Sequence, residues 1–377
     1  MKTAVQIGAG NIGRGFIGML LSQAGYKVIF ADVQKELVEA LSKRRRYSVE
    51  VVGESRQSVE VGPVDGVDSN SQALIDALVD AELVTTAVGP NVLKWIAPAL
   101  VRGIELAVQH GRTEPLNIIA CENAVRATSQ LKQLVLEQLP IELPSWVAFV
   151  DAAVDRIVPP MEKTDDVLAV RVEEFCEWLV EKSAFAGEVP DIPGMTAVDN
   201  LEAGVERKLF TLNTGHAVCA WVGQYLGFNT IAEAIADTRV NAVVRAVMGQ
   251  SGAALIAKHH FDPAAHQAYI DKIIKRFENP YIVDDVARVG RQPIRKLSRG
   301  ERIASPLSTA LSFSLPVDKL LLGAAAAMHF HNDEDPQVAE MHELIKQKGV
   351  AEVFAELSGT GQGEVVADIY QHMEQYL

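Results

Sequence analysis

The chain has 377 residues, 48% hydrophobic and 22% charged, which is ordinary globular composition and enough for two domains with proper cores. Thirty-five basic residues face forty-nine acidic ones, a formal charge of −14 that argues against nonspecific binding to nucleic acid or to an anionic membrane. An anionic ligand therefore needs a local basic pocket. Cys121, Cys176 and Cys219 are odd in number, scattered and without C-x-x-C spacing, so they are expected as reduced, buried small side chains. No apolar run approaches the roughly twenty residues of a membrane span, and the amino terminus reads as a strand rather than a signal segment. A soluble, cytoplasmic protein is expected.

The first element, TAVQI, reads as a short buried strand, and FIGMLLSQAGY carries helical apolar spacing. Between them runs GAGNIGRG, four glycines in eight residues, a costly cluster unless something approaches the backbone closely. Gly8, Gly10 and Gly13 fit G-x-G-x-x-G: the first makes the tight turn, the second admits a pyrophosphate, the third lets helix and strand pack. Ala9, Asn11 and Ile12 belong to the same expected cofactor loop, whose helix-start N–H groups face the anion. The next strand, YKVIFAD, ends at Asp32, about twenty residues on, where a carboxylate accepts from an adenosine ribose and repels a 2′-phosphate. NAD is expected over NADP. The plain alternative is a tight strand-to-helix turn that binds nothing.

Strand and helix patterns then alternate. VEVVG, SVEVGPV, ELVTTAVGP, PLNIIACEN and WVAFVDAAVDRIVPP have strand character, with ALIDALVDA and a stretch through the 130s helical between them, a pattern that predicts a mostly parallel, doubly wound sheet. Ligands bind outside the carboxyl ends of such strands, which directs attention to Thr86, Val88 and Gly89 and to Cys121–Asn123. Pro190, Pro193 and Gly194 interrupt the pattern. Beyond them the period becomes helical: Asn200 to about Leu226 up to Gly227, then a capping box at Thr230 and Glu233. The fold class is thus α/β, an N-terminal Rossmann-type doubly wound sheet (1–192, NAD-binding) followed by a mainly α-helical C-terminal domain (193–377).

Early in the long helix stands ERKLFTLNTGHA, with Lys208, Asn213 and His216 spaced by five and three. At about 100° per residue they project within an arc of roughly 140°, so one cleft could collect them; a solvated face, with Lys208 beside Glu206 and Arg207, is the bland alternative. The K-x-x-x-x-N-x-x-H element, the glycine run and VDRIVP (Val154 to Pro159) resemble the polyol-specific long-chain dehydrogenase/reductase, or mannitol dehydrogenase, family. TTAVGP, NIIACEN, AVDRIVPP, RFENPY and RVGRQPIRKLS extend the likeness along the chain. The resemblance implies metal-independent, NAD-linked oxidation of a secondary alcohol, here D-mannitol 1-phosphate to D-fructose 6-phosphate and the reverse, by a monomer acting on a small sugar or polyol phosphate.

What it implies makes chemical sense. A hydride leaves an alcohol carbon only as the hydroxyl proton is removed, so Lys208 is the candidate base, with its pKa brought down by burial or a neighbouring cation. Asn213, with Asn123 from the strand end, would hydrogen-bond the developing alkoxide or the ketone oxygen; His216 would orient substrate hydroxyls. The competing chemistry is zinc-assisted, with His216, Cys219 and Cys121 as imagined ligands, and no spacing demands it. His329, His331, His259 and His260 read as helix-end residues. Finally, RVGRQPIRKLSRGER (Arg288 to Arg302) holds six basic residues against one acidic. Guanidinium forks suit phosphate oxygens, so Arg291, Arg295 and Lys296 are the first candidates for the phosphate, with Arg14, Arg126 and Arg156 next; a solvated loop paired with the acids of VDDVAR is the alternative.

Overall fold

The computed structural model describes residues 1–53, 55–158 and 166–377; Pro159, the end of the VDRIVP element, lies outside them. By internal contacts the chain divides into two units, Met1–Gly204 and Val205–Leu377.

In the first unit the strands are β1 (Thr3–Ile7), β2 (Lys27–Asp32), β3 (Tyr47–Val52), β4 (Arg56–Val61), β5 (Val64–Asp68), β6 (Leu83–Thr86), β7 (Leu116–Ala120), β8 (Val147–Phe149), β9 (Ala152–Asp155), β10 (Val170–Glu173), β11 (Glu177–Glu181) and β12 (Met195–Val198). The main helices are α1 (Met19–Gln23), α2 (Lys35–Arg44), α3 (Gln72–Asp80), α4 (Leu93–Gln109) and α5 (Ala127–Leu136). Six strands make one parallel sheet in the order β5-β2-β1-β6-β7-β8, the expected doubly wound sheet, whose order reverses between β1 and β6. Ile7 pairs with both Ala31 and Thr86, so the carboxyl ends of these strands finish level. Alternate residues feed opposite faces: Ala4, Val28 and Phe30 pack with Phe16, Leu21 and Trp178, while Val5, Ile7 and Ala31 pack with Leu74, Leu100, Ile104 and Leu131.

VEVVG and most of SVEVGPV leave this sheet. β3 and β4 pair antiparallel and join β10 in a separate three-stranded sheet. β3 buries Tyr47 and Val49 while Ser48 is exposed, which suits a sheet with one wet face, whereas β6 and β7 are buried at every residue, as central parallel strands must be. Cys121 and Cys219 are buried; Cys176 is only partly so.

The second unit is helical. From α6 (Leu201–Arg207), which straddles the division, the chain passes through a π-helical segment, Lys208–Asn213, into α7 (Thr214–Tyr225). Gly227, at φ +87°, stands just beyond the end of α7, and the Thr230–Glu233 capping box is formed at α8 (Ile231–Ala236). There follow α9 (Thr238–His259), α10 (Pro263–Phe277), α11 (Val286–Gly290), α12 (Pro293–Leu297), α13 (Ala304–Ser312), α14 (Asp318–His329), α15 (Pro336–Lys348), α16 (Val350–Ser358), α17 (Gly363–Gln371) and α18 (Met373–Tyr376). At 22 residues α9 is long and apolar enough to cross a membrane, which a search for uninterrupted apolar runs passes over because Arg245 breaks the run. Here it is a core helix: Val240, Val244, Val247, Met248 and Leu255 are fully buried, and it packs on α7, α13 and α14.

Candidate functional site

The first unit carries the glycine loop at the switch point of its sheet. Gly8 has φ +94°, and a Cβ there would lie 2.5 Å from the carbonyl oxygen of Ala87; at Gly13 a Cβ would lie 2.0 Å from that of Gly8. These two positions close the turn and the strand–helix contact. Gly10 differs, since a Cβ there would meet nothing within 4 Å. The loop leaves open space at the one position where the fingerprint needs a phosphate to approach, so these residues could hold a dinucleotide.

Asp32 sits at the end of β2, 9% exposed. Its Oδ2 accepts from the Ala9 N–H at 2.6 Å and its Oδ1 from the Gln34 N–H at 2.9 Å, so the carboxylate braces the glycine loop while keeping lone pairs for a ligand. Across the switch point, buried Glu122 does the same for the loop after β6. One oxygen accepts from the Thr86 hydroxyl at 2.6 Å and the Val88 N–H at 3.0 Å, the other from the Gly89 N–H at 2.8 Å. Sequence reasoning passed over Glu122 in favour of its exposed neighbour Asn123. Its signal was a carboxylate two residues beyond the end of a fully buried strand. Arg14 and Arg156, reserve candidates for the phosphate, are engaged with the backbone. Arg14 is buried and donates to Ala9 O; Arg156 donates to Glu173 O at 2.9 Å and Gly15 O at 3.4 Å. Arg126 is exposed, in the left-handed region at φ 50°.

In the second unit the Lys208–Asn213 segment is π-helical, not α-helical. With i→i+5 bonding and about 4.4 residues per turn, each residue advances ~82°. The five steps from Lys208 to Asn213 then sum to a net ~50°, and three α steps return His216 to within ~10° of Lys208. The three side chains share an arc of about 60°, tighter than regular helix geometry gives. π turns of this kind recur at functional sites.

His216 is held from two sides. Its ring stacks on Phe277 at 5.0 Å, and Nε2 lies 3.0 Å from Asp284 Oδ2. Burial pulls the imidazole pKa down against the pull of Asp284. For Asp284, burial alone would raise the carboxyl; His216 and Arg288 outweigh it and hold the group below its ordinary value. A neutral ring facing that carboxylate carries its proton on Nε2 and offers Nδ1 as an acceptor. Cys219 is turned elsewhere, its thiol on Ile231 O at 3.9 Å. Among the described residues no three His, Cys, Asp or Glu side chains are grouped to hold a metal ion.

His216 also lines a cavity of about 430 Å³ within this unit, with Arg288, Arg291, Arg295, Lys296 and Arg302 around it and Glu334 and Asp335 at its border. All three expected phosphate residues are brought together here, beside one member of the expected catalytic triplet. Lys208 and Asn213 do not line it. Lys296 is only 4% exposed; burial, then Arg302, Arg295 and Arg291, push its pKa down to about 7. Asp335 is committed to the backbone, accepting from Gln292 N at 2.5 Å and Gln337 N at 3.1 Å. His329 ends α14, and His259 ends α9 paired with Glu206 at 2.6 Å.

Comparison with known proteins agrees with this layout. The family model of the mannitol dehydrogenase Rossmann domain matches residues 2–194, and that of the mannitol dehydrogenase C-terminal domain matches 200–377. A D-sorbitol dehydrogenase in substrate-free form superposes with TM-score 0.82 at 17% identity, covering 99% of this chain and 93% of that one. The Pseudomonas fluorescens mannitol 2-dehydrogenase, in a ternary complex with NAD and D-mannitol, superposes with TM-score 0.71 at 16% identity, covering 99% and 94%. At such identities the superpositions speak for the fold, and the two family matches, which together span nearly every residue, establish that the chain belongs to the mannitol dehydrogenase family.

Proposed function

We propose that this oxidoreductase interconverts D-mannitol 1-phosphate and D-fructose 6-phosphate with NAD, using Lys208 as general base and acid and no metal. The observation that carries the reading is the basic cavity: five cationic side chains around one cavity in a chain of net charge −14, where a polyol without phosphate would need none. NAD fits the open ground over Gly10 and the carboxylate of Asp32, and it supplies the hydride acceptor when bound. Gly8 to Gly13, Asp32, Thr86, Val88 and Gly89 would hold it, with Glu122 keeping the second loop in shape.

Lys208 takes the proton of the substrate hydroxyl during oxidation and returns it to the ketone oxygen in reduction. Asn213, within the same narrow arc of the helix, donates to that oxygen as negative charge develops on it. His216, fixed by Asp284 and Phe277, accepts from a neighbouring hydroxyl through Nδ1. On this reading the enzyme works as a monomer in the cytoplasm on a small anion, without nucleic acid or membrane, and light scattering on the purified protein checks the monomer. The decisive experiment follows NADH oxidation with fructose 6-phosphate, fructose and fructuronate in turn. Preference for either unphosphorylated ketose over fructose 6-phosphate would overturn the substrate assignment.

A further inference from the structure

The cations of the cavity are not equivalent. Arg288 is answered by Asp284, with Nε 2.9 Å from Oδ1. Arg295 is answered by Glu301 at 2.6 Å and also donates to Gln292 Oε1 at 2.9 Å. Arg291 has, among the described residues, only a backbone partner, Arg288 O at 3.2 Å. Arg302 makes no ion pair among the described residues, and its buried Nε finds no hydrogen-bond acceptor there. Lys296 donates to Val289 O, and its ammonium stands 6.0 Å from the ring centre of Trp221. Three cations thus face one cavity without an ion pair of their own among the described residues: the Asp335 carboxylate is hydrogen-bonded to two backbone N–H groups and acts on Lys296 only through space, and Glu334, like Arg291, is exposed. Crowding more cations than carboxylates at a partly buried site is costly. A ligand that brings about two negative charges and several acceptor oxygens relieves that cost.

We propose that this cavity seats the phosphoryl group of the substrate, that Arg302 and Arg291 are its guanidinium clamp with Lys296 as the buried third contact, and that Arg295 stands outside the clamp, neutralised by Glu301. The proposal rests on the polyol-phosphate reading. It departs from the sequence expectation at two residues, adding Arg302 and removing Arg295.

The test uses the full-length protein and two readouts, calorimetric binding of inorganic phosphate without cofactor and the ratio of kcat/KM for fructose 6-phosphate to that for fructose. Charged hydrogen bonds contribute about 1.5–3 kcal/mol each, or roughly ten- to 150-fold. Arg302→Gln and Arg291→Gln should each lower phosphate affinity and the kcat/KM ratio by at least about tenfold, while Arg295→Gln changes both less than about threefold. Should Arg302→Gln fail to fold, Arg302→Lys keeps the charge, loses the fork and should still cost several-fold in both readouts. Losses at Arg295 as large as those at Arg302, or unchanged phosphate affinity in the Arg302 and Arg291 variants, would overturn the clamp while leaving the proposed reaction standing. Phosphate binding that depends on Arg302 and Arg291 in a protein that does not reduce fructose 6-phosphate would instead keep the anion site and overturn the substrate.

Discussion

Replacing Gly10 with alanine should separate stability from cofactor binding. Gly10 is absent from the positive-φ glycines, and a Cβ added there meets nothing within 4 Å, so the folded protein accepts it without strain. Alanine also narrows the unfolded ensemble, an effect of about 0.4–1 kcal/mol in favour of folding. In a unit of this size that corresponds to a Tm rise of roughly 1–4 °C. The same methyl group occupies the space a pyrophosphate needs. Loss of one N–H contact to a charged oxygen, about 1.5–3 kcal/mol, predicts NADH binding weaker by ten- to 150-fold. Gly13→Ala is the contrast: its Cβ would lie 2.0 Å from Gly8 O, the turn must move by roughly 1 Å, and overpacking of this kind costs about 1–3 kcal/mol. Thermal melts of the ligand-free variants and fluorescence titration with NADH read the two effects apart. Gly10→Ala binding NADH within threefold of wild type, or melting several degrees lower, would refute the assignment of that space.

Lys208→Ala should lower turnover by about 10²- to 10⁴-fold with NADH affinity within twofold, and stopped-flow rates beside the titration check both. Asp32→Ala should raise KM for NADH, narrow the gap to NADPH, and lower Tm, because the N–H groups of Ala9 and Gln34 lose their acceptor; kinetics with both cofactors and a melt suffice. Glu122→Gln puts an N–H₂ where three donors now converge and should cost roughly 1–3 kcal/mol in urea unfolding together with weaker NADH binding. Lys296 carries a pH prediction. Its pKa of about 7 in the folded protein lies below the unfolded value, so the penalty for its buried charge is fully present below pH 7 and fades as pH rises toward 10. Lys296→Met should therefore be more stable than wild type at pH 6, by on the order of 4 kcal/mol less about 1 for the lost bond to Val289 O, and the advantage should shrink between pH 7 and 10. In the wild type, phosphate affinity should fall above pH 7 as that ammonium deprotonates. A flat profile from pH 7 to 9 would contradict it.

The parallel sheet and its ligand edge were legible because they rest on local rules: β6 and β7 are short, mainly apolar or β-branched runs, Gly8 needs a left-handed backbone, and Asp32 ends a strand. β3 and β4 were legible as strands but not as a separate sheet, since the partner that draws them off, β10, is more than a hundred residues away. The basic run announced an anion site, yet its members look alike in sequence. Glu301 pairs with Arg295, and Arg302 is left without an ion pair among the described residues, because of how the chain turns after α12, which no spacing encodes. Glu122 stayed hidden for a related reason, as its three donors lie more than thirty residues upstream.

The wide turn between Lys208 and Asn213 also bears on how such chains are compared. A π turn carries one residue more than the α turn it replaces, so five positions here cover nearly the rotation, ~50° against ~40°, that four cover in a plain α-helix. A homologue with three residues between lysine and asparagine on an unbroken helix would present the same pair to the same side, though a column-by-column alignment would score its asparagine as missing. Relaxation of this turn to α geometry without loss of a residue would carry Asn213 and His216 round by about 90°. The segment should therefore tolerate a one-residue deletion at Leu209 better than any change that merely makes it a more regular helix.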